Sequence, residues 1–331
     1  MPTLTDYVQT LFTLFDHFMQ AQAPTRKRGG SFLYANKTLT VFFIMMQFRS
    51  IFAFKAQHRW LERHPELWPL LALKALPHRT TLSRRYKKLY QTLQDFLAFL
   101  ADYATDLDPV FSNQHLVEDK SLFRALGPVW HQRDRKADRI PAKLRHLDTD
   151  ATWSKSAYQG WVYGYGVHVT CNEAAFPTLV QVETASVSEG GVLDGKAAYL
   201  FNVIGPETLS GDNGYAKVTR IRSWARHGVA LITPAVKWVK GRYAAAYHRF
   251  LKEPEQVEHL KRRRTSVEPL FDLVARVLGS PGKQGRVPVQ RLGNVRTCLT
   301  LGVLTVQLAM IMNNVWGLPL RNISGMATVF S

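Results

Sequence analysis

Apolar residues recur at spacings of three and four along residues 7–18, 39–54 and 82–103, the period of a helix that buries one stripe. Nothing in the first 108 residues alternates as a strand would. Gly and Pro break this stretch at residues 24–30, 65–69 and 77, so the pattern predicts an all-helical unit of about four or five helices. After Asp108-Pro109 the period changes. Residues 115–119 are short, apolar and extended, and Trp161, Tyr163, Tyr165, Val167, Val169 and Cys171 then alternate with other residues. A period of two predicts a long strand with one buried face. Residues 178–182, beyond a turn near 172–177, read as its hairpin partner. A helical stretch over 194–203, an extended run over 207–212, a helix near 217–227 and a short strand at 229–232 complete a mixed α/β block. Helices resume from Tyr243, one through 267–278 and another through 295–313, separated by a Gly- and Pro-rich loop at 279–288. The pattern divides the chain into a helical domain at 1–112, an α/β domain at 113–285, and a C-terminal helical segment at 286–331 that completes the second core.

With 331 residues, 46% of them apolar, the chain can fill a sizeable core without staples. Its two cysteines, Cys171 and Cys298, form no Cys-x-x-Cys or Cys/His spacing, which argues against a disulfide framework or a zinc site and fits a reducing cytoplasm. Residues 1–20 read as an amphipathic helix, because Asp6 and Asp16 interrupt the apolar stripe and no basic leader precedes it. The apolar runs at 41–54 and 298–312 carry polar interruptions and fall short of the roughly 18 to 20 residues a bilayer span needs, so they read as buried helices.

Charge adds the strongest bulk signal. The chain has 43 Lys plus Arg against 25 Asp plus Glu, a net +18, which implies a polyanionic partner. The cations come in separate clusters along a core-rich chain, which favours nucleic acid over an anionic membrane surface. In the helical domain, Thr80 or Thr81 would cap a helix whose first turns carry Arg84, Arg85, Lys87 and Lys88. This suits contact with DNA phosphates, and it equally suits a solvated helix face. Residues 133–145, dense in Arg, Lys and Asp, read as an exposed loop over the sheet.

Two carboxylates fall at the ends of predicted strands: Asp119 after Leu116-Val117, and Asp212 in Leu209-Ser210-Gly211-Asp212-Asn213-Gly214-Tyr215. Strand ends at a sheet edge are where active sites are built. Gly211 and Gly214 would let a ligand approach the Asp212 backbone closely, with Tyr215 starting the next helix. On the late helix, Arg264, Glu268, Asp272 and Arg276 share a face at i, i+4 spacing opposite an apolar face. Each of these signals alone also fits a turn former or a surface ion-pair ladder. Asp194 reads as a helix cap, Glu118 and Asp150 as supporting or surface acids, and His168 as a structural residue on the polar phase of the long strand.

Taken in order, these motifs resemble those of bacterial insertion-sequence transposases of the DDE type, which carry an RNase H-like core. Val117-Glu118-Asp119-Lys120-Ser121 looks like the first-strand aspartate, and Trp161 to His168 like the aromatic, glycine-bearing second strand. Gly211-Asp212-Asn213-Gly214-Tyr215 matches the second aspartate with its Gly and Tyr. Arg264-Thr265-Ser266-Val267-Glu268 matches the Arg, three residues, Glu signature. The resemblance covers about residues 114–314. It implies an RNase H-like mixed sheet flanked by helices, with Asp119, Asp212 and Glu268 holding two Mg²⁺ ions, or Mn²⁺ in their place, for cleavage and strand transfer. It also implies double-stranded DNA as partner, both terminal inverted repeats and target, contacted by Lys261, Arg264 and Arg276. A homodimer is expected because two ends must be joined. The signature's Tyr is Lys261 here and its Lys is Ala275, with Arg276 one position later. A nuclease without strand transfer, or a decayed relative that only binds DNA, therefore stays open at this point, and Pro269 beside Glu268 calls for a helix start or a kink.

Overall fold

The computed structural model describes residues 2–22, 33–156, 159–234, 239–279 and 285–331. The expected break at 24–30 and residues 280–284 of the loop at 279–288 lie outside the described residues. Five helices come first: α1 (Leu4–Ala21), α2 (Asn36–Phe48), α3 (Phe54–Glu62), α4 (Leu67–Leu70) and α5 (Arg79–Thr105). Then follow β1 (His115–Arg124), α6 (Gln132–Lys136), β2 (Thr152–Ser156), β3 (Gly160–Asn172), β4 (Pro177–Thr184), α7 (Glu189–Tyr199), β5 (Thr208–Ser210), α8 (Val218–Arg226) and β6 (Ala230–Ile232). The chain closes with α9 (Arg242–Phe250), α10 (Pro254–Val277), α11 (Leu292–Val315) and α12 (Ser324–Phe330).

The strands form one mixed sheet in the order β2-β3-β1-β5-β6, with β4 also paired to β3. β1 runs antiparallel to β3 and parallel to β5, and β5 runs parallel to β6. This is the mixed sheet flanked by helices that the RNase H-like resemblance implies. β2 was not visible as a strand because Thr152 to Ser156 is short and only partly buried.

Both faces of the sheet are covered. Val117 of β1 and Tyr163, Tyr165, Val167, Val169 and Cys171 of β3 join the larger core, with residues of α1, α2, α5, α10 and α11. Leu116, Leu209 and Leu231 join a second core with Leu193, Ile221, Trp224 and Tyr247 on the other face. Alternate residues of β1 therefore point into different cores. This corrects the expectation of one buried face on β3: residues 162–172 are buried on both phases, and His168 is 0% exposed rather than solvated.

The larger core runs without interruption from α1 through the sheet to α11, so no gap in packing marks the expected boundary at 112/113. α11 is apolar all round because neighbours surround it: α5, α2, α10 and β4 all pack on it. By length and composition it would suffice for a membrane span, yet 94% of its most apolar stretch is buried inside the protein. α10 runs unbroken through Pro269.

Candidate active site

β1 and β5 run side by side, with Val117 opposite Ser210. Two residues further along each chain bring Asp119 and Asp212 to neighbouring positions, where β5 has ended and β1 continues. Asp119 is thus mid-strand, not at a strand end. The sheet edge it faces is created by the early stop of its neighbour.

Asp119 lies on the face of the larger core, beneath α10. Its carboxylate accepts from the Lys120 N–H at 2.7 Å and pairs with the Arg263 guanidinium at 3.0 Å. Burial nevertheless pushes the carboxyl up to about 7. Arg263 and the Lys120 N–H pull the other way, while the charges of Asp212 and Glu189 add to the rise. Asp212 caps the short turn Asn213–Tyr215, its Oδ1 accepting from Gly214 N–H at 2.7 Å.

The two motif glycines make room for the protein's own side chains. A Cβ on Gly211 would sit 2.7 Å from the Tyr215 ring. One on Gly214 would sit 2.2 Å from Glu189 Oε2 and 3.0 Å from Asp212 Oδ1. Glu189, in the first turn of α7, therefore shares with Asp212 the space that Gly214 leaves. Its pKa is raised by burial and then by the Asp212 charge, against the pull of Lys120. Tyr215 does not start a helix; it is 0% exposed, and its hydroxyl has no hydrogen-bond partner among the described residues. Burial, then the charges of Glu118, Asp119, Glu189 and Asp212, hold that hydroxyl well above its ordinary range.

The frame around these groups is rigid. Arg220 of α8 grips Asp194 through two nitrogens at 2.6 and 2.9 Å and donates to the Tyr215 carbonyl at 2.7 Å. A Cβ on Gly190 would stand 2.5 Å from that guanidinium, so glycine there lets α7 approach it. Asp194 is hence a mid-helix anchor rather than a cap, and Ser188 caps α7 by accepting from Gly191 N–H. Glu118 points into the other core and is fully buried against Lys196, 2.8 Å away. Asp150 accepts from the Leu292 N–H and faces Arg291.

The remaining expected groups fall differently. Glu268 is exposed on α10, about one and a half turns beyond Arg263, and among the described residues no hydrogen bond or ion pair ties it to Asp119, Asp212 or Arg264. Lys261 and Arg264 are exposed, and Arg276 pairs with Asp272 at 2.7 Å. On α5, Arg84, Lys87 and Lys88 are exposed, but Arg85 is turned inward, 8% exposed and bonded to Asn36. Arg85 sits on the stripe of Leu82, Tyr86 and Leu89 that packs the helix, so it cannot serve as the expected surface contact. His78, not Thr80 or Thr81, caps α5. Sequence reading missed Arg263 and Glu189. The signal for the latter was Ser188 as a cap followed at once by an acid.

Asp212 and Glu189 turn carboxylate oxygens toward the one space at Gly214, the hard oxygen donors a divalent cation takes. At Asp119 the Arg263 guanidinium stands in for the cation. Among the described residues no group of three His, Cys, Asp or Glu side chains is close enough to hold a metal ion.

Residues 130–283 match the family model described as "Transposase DDE domain". The matched segment includes Glu189, Asp212, Tyr215 and Glu268, while Asp119 precedes it and rests on the strand register alone. No curated protein matches the chain. A chain in a solved structure, "Crystal structure of a pre-cleavage Mos1 transpososome", aligns at 8% identity over 86% of this chain and 99% of that one. Its TM-score of 0.21 is too low to carry any argument.

Proposed function

We propose that this chain is a transposase of the DDE type, an enzyme of metal-dependent DNA cleavage and strand transfer, and that Asp119, Asp212 and Glu268 are its metal-holding carboxylates. They would take two Mg²⁺ ions, with Mn²⁺ able to substitute, at the terminal inverted repeats of a bacterial insertion sequence. The adjacency of Asp119 and Asp212 across β1 and β5 is the observation that supports this reading. Glu268 joins them on the strength of its motif and of its helix, since α10 already carries Arg263 to Asp119.

When bound, the ions lower the pKa of the attacking water or 3′-hydroxyl and neutralise charge on the scissile phosphate. The protein's part is to hold oxygens for them in a fixed place. β1 fixes Asp119, the capped turn fixes Asp212, and Arg263 balances Asp119 until a stronger cation arrives. Arg264 on α10, with Arg84, Lys87 and Lys88 on α5, is exposed toward phosphates; Lys261 and Arg276 reach DNA by leaving Glu258 and Asp272. Phosphate contacts of this kind position the duplex without reading sequence. Joining two element ends calls for a homodimer on DNA, in the bacterial cytoplasm where the chromosome lies.

The test uses a pre-cleaved donor end and a plasmid target in Mg²⁺. Wild type joins them, and Asp212→Asn loses cleavage and joining by about 10³-fold or more while still shifting the donor end in a gel. Cleavage retained by Asp212→Asn overturns the site. Cleavage without joining by wild type reduces the enzyme to a nuclease.

A further inference from the structure

We propose that Glu189 is a further metal-holding carboxylate of this site, working with Asp212, and that the Tyr215 hydroxyl positions the pair. The proposal rests on the reading of Asp119 and Asp212 as metal ligands and extends it to a residue outside the expected three.

Two independent observations carry it. The first is the shared space at Gly214. Glu189 Oε2 and Asp212 Oδ1 approach the same point, 2.2 Å and 3.0 Å from where a Cβ would sit. Two carboxylates in one half-buried niche repel each other unless a cation lies between them. Among the described residues Glu189 has no hydrogen-bond or ion-pair partner of its own. The nearby Lys120 is committed elsewhere, its Nζ donating to the carbonyls of Ala185 and Val187 at 2.8 and 2.9 Å.

The second observation is Tyr215. A fully buried hydroxyl with no partner is costly in a folded protein, and such groups ordinarily find a mate. Packed in the smaller core, this one lies within the fields of Glu118, Asp119, Glu189 and Asp212 and has acceptors to serve once the site's carboxylates draw together. Arg220 fixes its backbone, and the ring packs on Gly211, so the hydroxyl is held where a metal-bound carboxylate can accept from it.

The placement looks built for this. Ser188 starts α7 immediately before Glu189, and Gly190 immediately after it admits Arg220. Arg220 then ties α7, through Asp194, to the carbonyl of Tyr215. The clamp sets the first turn of α7 against the loop that carries Asp212.

A purely structural role for Glu189 is also well defined: an acid in a first helical turn stabilises the helix through its dipole. The two roles predict opposite stability changes. The full-length protein without DNA is titrated with Mn²⁺ alone, followed by electron paramagnetic resonance and by thermal unfolding. Glu189→Gln is expected to weaken Mn²⁺ binding at least tenfold and to keep or raise the melting temperature of the metal-free protein. Tyr215→Phe is expected to weaken Mn²⁺ binding by a few fold without lowering metal-free stability. If Asp119→Asn and Asp212→Asn weaken Mn²⁺ binding while Glu189→Gln binds as wild type and melts lower, Glu189 serves the helix and the inference falls. If none of these variants changes Mn²⁺ binding, the reading of the aspartates fails as well.

Discussion

Glu118 and Asp119 are neighbours on one strand, and they lead opposite lives. Glu118 points into the smaller core, where Lys196 Nζ lies 2.8 and 3.0 Å from its two oxygens and Thr170 donates a further hydrogen bond. Lys196 also reaches the His168 carbonyl and the Thr170 hydroxyl, both at 3.2 Å. Both Glu118 oxygens and the Lys196 ammonium have partners, and the two side chains are 0% and 6% exposed. Asp119 points the other way, with one guanidinium opposing it and two more carboxylates close by. A carboxylate closed off by its own cation holds elements together. One whose surroundings leave negative charge in excess is available for chemistry, because the cation that would balance it must come from outside.

The contrast breaks most visibly on the Glu118 side. Lys196→Met leaves an uncompensated charge in the core and should cost about 3–5 kcal/mol, read as a shift in the denaturant midpoint at unchanged slope. A loss under about 1 kcal/mol would mean that water already reaches Glu118, and the two faces would then not differ in kind. On the Asp119 side the sign reverses. The folded-state pKa near 7 lies above the ordinary value of 3.8, so the native state binds more protons than the unfolded chain between about pH 4 and 7. Metal-free stability therefore falls as pH rises through that window. Asp119→Asn removes the penalty. That pKa already contains the Arg263 pairing, so the gain should be about 4 kcal/mol above pH 7 and nothing below pH 4, measured as unfolding free energy across pH. A gain that did not vary with pH would show that the carboxyl is not strained.

The sequence carried the outline of this comparison but not its sides. Alternation along β3 and the short apolar run before Asp119 revealed the sheet, and Asp212 with Gly214 and Tyr215 revealed the loop beside it. Periodicity could not say that both faces would be covered, because that depends on α11 and α7 arriving from distant parts of the chain. Hence Glu118 looked peripheral, and the structural role read for His168 could not be placed: it is enclosed, and burial, then Lys196 and Lys120, lower its pKa to about 3. Arg85 was misread for the same reason, since a cation within a basic run gives no sign that it faces Asn36. On α10 the run of four cations from Lys261 to Arg264 concealed which one turns inward. A helix turns about 100° per residue, and only the packing of Val267 and Leu270 selects Arg263 over Arg264. Glu189 stayed hidden because its meaning lies in a space left by Gly214, which is a property of two loops and not of either motif.

The smallest expected effect separates the closed Glu118 cluster from the loop that carries Asp212. Beside Glu118 the Thr170 hydroxyl is fully used, so Thr170→Val should lower stability by about 1 kcal/mol through the hydrogen bond it removes. The Tyr215 hydroxyl, in the same smaller core but under the loop that carries Asp212, is buried without a partner among the described residues, so Tyr215→Phe removes a group that was already unsatisfied. It should leave the metal-free protein as stable or more stable by about 1 kcal/mol, with the ring still packed on Gly211. Opposite signs for two buried hydroxyls one strand apart, measured by chemical denaturation without metal, would separate an interior completed by folding from one that awaits a ligand. A loss of stability in Tyr215→Phe comparable to that of Thr170→Val would mean that the hydroxyl already has a partner, and unmet polar demand near the Asp212 loop would then reduce to the carboxylates alone.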